Sequence, residues 1–242
     1  MAVTSEGRKH LGAAIGKETF VEKYVQQKVS MWTHEVEYLA SIAITQPHAA
    51  YAAFIRGLSN KWWYLARTLP GITDLYLPLE QAIRQTFLPS LTGQSPFSDA
   101  ARDLMALPTR LGGLGIVDPS KQTAVLLKMS EELSEPLVAL ILQQSQDYSL
   151  ESKQEQITAK NRAKNARRQQ EQVTADLLKS QLPTHLQRAL AVSSEKGASS
   201  WLSVPPIAEH GFALHKGAFQ DALCLRYGWH PSNLPAHCVC GK

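Results

Sequence analysis

Cysteine is scarce in this chain and confined to its last twenty residues, as Cys224, Cys238 and Cys240. Three clustered thiols cannot form a disulfide framework, so free thiols or metal ligands are the expected roles. Long apolar runs are lacking too. The stretches Thr123 to Leu127 and Pro136 to Leu142 fall far short of the ~20 residues that a bilayer span requires. The first residues, MAVTSEGRKHLGAAIG, lack the charged start, apolar centre and small-residue cleavage site of a secretory signal. These absences predict an intracellular protein with no membrane partner. Paired aspartates are also missing. Asp74, Asp99, Asp103 and Asp118 stand apart, and helix capping and solubility account for them.

What is present is enough to build a core: 44% of the 242 residues are hydrophobic. The net charge of +4 is modest, and its distribution says more than its size. Residues 1–150 carry 13 basic and 14 acidic side chains, whereas residues 151–171 carry six basic against three acidic. The excess is local.

Apolar residues recur mostly at spacings near 3.6, which predicts a mainly α protein. Glycines bracket His10 to Ile15, which reads as a small strand or turn. From Phe20, the series Val21, Tyr24, Val25, Val29, Trp32, Val36, Leu39 and Ile42 defines an amphipathic helix. Pro47 marks a helix start, and Ala50, Phe54, Leu58, Trp62 and Leu65 continue from it, with Gly57 as a weak point. Leu69-Pro70-Gly71 is a stop and turn. Leu75, Leu79, Ile83 and Phe87 then define a third helix, expected to end at Pro89. After a Gly/Ser/Pro-rich loop, Ser98 is placed to cap a short helix through Leu107.

The phrase LPTRLGGLGI (107–116) sets three glycines among leucines, so it reads as a tight connection. A phosphate cradle is the alternative, although the lysine-serine ending of a P-loop is absent. Helix is expected to resume at Ser120, break at Pro136 and lead into the polar stretch Lys153 to Gln172. There Lys160, Arg162, Lys164, Arg167 and Arg168 follow one another without an intervening acid. A helix polar all round is solvated or lies against a charged partner. Prolines and small residues predict a linker over 181–206, followed by a short amphipathic helix in GFALHKGAFQDALCLRYGW, with Cys224 facing the core.

Several phrases in this order, RKHLGAAIG, QPHAAYAAF, KWWYLARTLPG and LPTRLGGLGI, then EHGFALHKGAFQDAL, LRYGW and AHCVCGK, resemble the region beyond the catalytic palm in reverse transcriptases of invertebrate non-LTR-type retroelements. The resemblance spans nearly the whole chain. It implies the end of a palm-like region at 1–16, a helical thumb-like bundle at 17–118, a connector with a basic helix at 119–182, and a linker, short helix and incomplete zinc knuckle at 183–242. It also implies a non-catalytic piece that helps hold an RNA/DNA template-primer through phosphate contacts, with Lys61, Arg67 and Arg84 joining the five cations above. Trp62, Trp63 and Tyr64 would stack on bases or fill helix packing, with Trp62 assigned to the core.

The family's polymerase chemistry uses magnesium held by palm aspartates, which this sequence does not contain. Its zinc knuckle would begin with Cys238 and Cys240, which make half a site, and no cofactor is expected for this piece alone. Two further readings come from the residues themselves. One is a helical protein-interaction module over 150–182, where Ile157, Val173, Leu177 and Leu178 are sparse for a heptad seam. The other is an independent enzyme using His34 or His48 with a carboxylate, for which no nucleophile and base pair is visible.

Overall fold

The computed structural model describes residues 5–144 and 150–231. It is mainly helical. Strands β1 (Gly7–His10) and β2 (Ala13–Gly16) form an antiparallel hairpin with Gly7 opposite Gly16 and His10 opposite Ala13. The hairpin turns at Leu11 and Gly12, both with positive φ.

Helix α1 (Glu18–Ala43) is the spine, and its 3.6-residue spacing buries Tyr24, Val25, Val29, Trp32, Val36, Leu39, Ala40 and Ala43. Pro47 ends the run by disfavouring helical geometry at Gln46 and then opens α2 (Pro47–Ala53), where its missing N–H has no intrahelical partner to lose. A π-turn over Phe54–Leu58 joins α2 to α3 (Asn60–Thr68). This turn explains how Ala50, Phe54, Leu58 and Trp62 stay on one buried face. Steps of four drift about 40° each on an ideal helix, and one inserted residue compensates.

A second π-turn, Ile83–Phe87, joins α4 (Leu77–Ala82) to α5 (Leu88–Thr92). The helix therefore does not end at Pro89 as expected. The widened turn sends the Leu88 N–H back to the Ile83 carbonyl, and the proline's absent donor falls at its exit. Gly93, with φ 73°, closes the helix instead. The core between these helices is aromatic. Phe54 stacks on Phe87 with centroids 4.6 Å apart, and Trp62 meets Trp32, Phe54 and Trp63.

Helix α6 (Asp99–Ala106) starts where Ser98 accepts a bond from the Ala101 N–H. The 107–116 loop returns to α7 (Pro119–Leu142), capped by Asp118, which accepts from Ser120 and Lys121. Here too a proline is tolerated. Helix α7 runs through Pro136, whose lost partner, the Glu132 carbonyl, belongs to an exposed residue that water can satisfy. Helix α7 packs on α3 and α4, and α8 (Leu150–Gln181) packs on α7 and α6.

The stretch expected as a linker is largely helix. Helices α9 (Thr184–Ser193) and α10 (Ser200–Ser203) bury Leu190, Ser193 and Leu202, because amphipathic spacing in THLQRALAVS outweighs the flanking prolines and small residues. Helix α11 (Lys216–Tyr227) then places Phe219, Leu223 and Tyr227 in the same core as α1–α5. No helix of the described residues is long and apolar enough to cross a membrane.

Candidate nucleic-acid interface

The eight predicted cations separate into groups once the backbone is in place. On α8, helical geometry puts Lys160, Lys164, Arg167 and Arg168 within an arc of about 100°, and Lys153 falls in the same arc two turns earlier. From Lys153 to Arg168 the stripe is about 22 Å long at 1.5 Å per residue. All five side chains are exposed. Arg167 reaches Glu171 at 2.8 Å, and Arg110 shares that carboxylate. The other four form no ion pair among the described residues.

Arg162 points to the far side of α8 and lines a groove with Glu132, Glu135 and Glu155. It lies about 180° round the helix from Lys153, so it leaves the stripe, and it forms no ion pair among the described residues. Lys153 is the residue that the acid-free run of 160–168 left out. Its spacing of seven from Lys160 and eleven from Lys164 was the available signal.

The cations of the helical body are used differently. Arg84 bonds the Phe97 carbonyl at 2.8 Å and the Asp99 carboxylate at 2.7 Å, which fixes the loop before α6. Lys61 bridges to Glu35 at 2.7 Å, tying α3 to α1. Arg67 is exposed and forms no ion pair among the described residues. Of the three aromatics beside it, Trp62 is fully buried, Trp63 half-buried and Tyr64 exposed. The Tyr64 hydroxyl donates to the Leu11 carbonyl at 2.8 Å, and Tyr24 donates to Gly12 at the same distance. Lys9 and Lys28 both approach the Tyr24 ring, 5.3 and 5.9 Å from its centroid. A second pair of cations, Lys9 and Lys28, thus gathers over Tyr24 beside the hairpin, while Arg8, the neighbouring strand residue, points to the other side; sequence spacing alone gave no sign of this pair.

The glycine-rich loop is not a phosphate cradle. From Leu111 to Ile116 every N–H is bonded within the loop or back to Met105 and Leu107. The structure gives the loop another role, as an acceptor of distant donors. Tyr51 donates to Leu114, Arg102 to Ile116, Tyr227 to Gly112, and Arg226 to Gly112, Gly113 and Thr109. At Gly113 a Cβ would come within 1.9 Å of the Leu107 carbonyl oxygen, so only glycine fits.

The other chemical candidates have structural roles in the described residues. Asp118 caps α7, Asp99 meets Arg84, Asp103 meets Lys121, and Asp74 opens a 3₁₀ turn. The His34 imidazole is 3.8 Å from the exposed Glu37. Buried His48 stacks on Phe219 and accepts the Leu214 N–H through Nδ1 at 3.1 Å. Burial holds its pKa below the ordinary histidine value, opposed by the nearby Trp201 carbonyl. Glu80 is gripped by Arg102 through two bonds of 2.6 and 2.7 Å, and burial pushes its pKa above the usual range against the pull of that guanidinium.

Cys224 is buried, as expected, against Gln94 and the His230 carbonyl, and burial raises its thiol pKa. Cys238 and Cys240 lie outside the described residues. Among the described residues no three of His, Cys, Asp and Glu gather as a metal site. Comparison with family models, with curated proteins and with solved structures finds no match to this chain.

Proposed function

We propose that this chain is a non-catalytic, thumb-like region of a retroelement reverse transcriptase, acting inside the cell to help hold an RNA/DNA template-primer. The observation that carries this reading is the α8 stripe. Four exposed cations without acidic partners among the described residues, and a fifth sharing one carboxylate, lie along about 22 Å of a single helix face. A row of unneutralised cations attracts a phosphate backbone by counterion release and reads no sequence. Arg67 on α3 and Lys9 on the hairpin are the secondary contacts of the proposal.

The interaction-module alternative has less support, because Leu178 is buried within the chain's own core and Ile157, Val173 and Leu177 are scattered exposures without a seam.

Fluorescence anisotropy of a labelled template-primer duplex, titrated with protein over a salt series, tests the proposal. Affinity should fall steeply with salt and be indifferent to sequence. Replacing Lys153, Lys160, Lys164 and Arg168 with Ala should flatten the log K against log salt slope by about 3, at roughly 0.7–0.9 per cation. Unchanged binding in the quadruple variant would remove α8 from the interface.

A further inference from the structure

Two surfaces lie outside the proposed template-primer contacts, and they are complementary. The first is the outer half of α7. Helical spacing puts Glu131, Glu135, Val138 and Leu142 within an arc of about 60°, on the side opposite the half-buried Leu133, Pro136 and Leu140. All four are exposed, Leu142 at 78%. Neither carboxylate forms an ion pair among the described residues. The result is an acidic-then-aliphatic stripe, with Lys128 beside its acids and Glu135 also lining the groove that holds Arg162.

The second surface is a groove of about 430 Å³ between α9 and α11, floored by Trp201. Val192 and Leu225 stand on its rims, 61% and 77% exposed. Its two charged lining residues are both arginines. Arg188 is exposed and unpaired among the described residues. Arg226 is buried, yet its partners are neutral: the Gly112, Gly113 and Thr109 carbonyls, the Ser199 hydroxyl and the Tyr227 ring, 5.7 Å from its guanidinium carbon. Buried charges are normally matched by an opposite charge, and none of the described acids meets this one. The groove therefore offers two cations beside two aliphatic rims.

We infer that the α7 stripe of one copy docks in the α9–α11 groove of a second copy, with Glu131 and Glu135 against Arg188 and Arg226, and Val138 and Leu142 against Val192 and Leu225. The mode is an amphipathic helix face laid in a groove. The two surfaces differ, so the contact is head-to-tail, and each added copy presents a fresh stripe and a fresh groove.

Sedimentation velocity over a protein concentration series at low salt tests this. The weight-average sedimentation coefficient should rise with concentration and continue past the dimer. Either Arg188→Glu or the double reversal Glu131→Arg/Glu135→Arg should weaken association by about tenfold or more. All three positions are exposed, so both variants should keep the wild-type thermal melt. Mixing the two variants should restore part of the association, because the reversed stripe then meets an acid at position 188 while Arg226 still opposes it. A single monomeric species at all concentrations would overturn the inference, as would a mixture that associates no better than either variant alone. So would an Arg188→Glu variant that loses template-primer binding while its self-association is unchanged, since the groove would then take a phosphate backbone.

Discussion

The helical body and the α8 stripe contain the same kinds of charged residue and use them in opposite ways. In the body, Arg102 is locked to Glu80 and the Ile116 carbonyl, Arg84 to Phe97 and Asp99, and Lys61 to Glu35. Each of these cations links two chain segments. On α8, Lys153, Lys160, Lys164 and Arg168 link nothing among the described residues. A cation whose hydrogen-bonding capacity is consumed inside the molecule is part of the fold, while one held out on a regular helix is available to a partner. The number of cations in a segment does not separate these cases, and the partners of each one do.

Breaking the body side of this contrast should have the largest effect. Arg102→Ala leaves the Glu80 carboxylate buried without its partner, and should cost about 3–5 kcal/mol in urea unfolding. Gly113→Ala drives a methyl group into the Leu107 carbonyl and should cost more than about 1 kcal/mol by the same measurement.

A pH series sharpens the contrast by one buried group. Burial depresses the folded pKa of His48, so its contribution to stability is complete above the ordinary value of about 6.5 and is lost as pH falls through the folded pKa. In that window the loss should reach at most about 1.4 kcal/mol per pH unit. The difference in unfolding free energy between wild type and His48→Gln, whose amide oxygen can still accept the Leu214 N–H, isolates this term. A difference that stays flat between pH 7 and 4 would contradict it. The smallest effect is expected on the other side of the contrast. The quadruple α8 alanine variant should unfold within about 0.5 kcal/mol of wild type per substitution, even as its salt slope collapses.

Much of the fold was legible because it depends on local spacing. The eight apolar positions assigned to α1 lie on its packed face, Ser98 and Asp118 cap the helices they precede, and Trp62 and Cys224 are buried. The misreadings come from non-local compensation. Pro89 and Pro136 signal breaks, yet a π-turn absorbs the first and solvent the second. The 181–206 segment has linker-like composition, but its apolar positions find a surface on the glycine loop, where Leu190 lies against Gly112. The candidate site was half legible. The run of cations stood out in the sequence and its helical spacing already sets Arg162 on the other side, whereas the α7 acids that share its groove needed the fold in place.

The glycine-rich loop has a consequence for how the protein comes into being. Its carbonyls draw donors from Tyr51, Arg102, Arg226 and Tyr227, and Phe219 of α11 lies against His48 and Tyr51. A chain leaves the ribosome N-terminus first, so α1–α6 emerge long before α11 exists. Until Arg226 and Tyr227 appear, the nascent body holds an open aromatic flank and the Gly112 and Gly113 carbonyls lack these donors. This core closes only when residue 227 is out of the exit tunnel, and the interval before that is when a chaperone has something to hold.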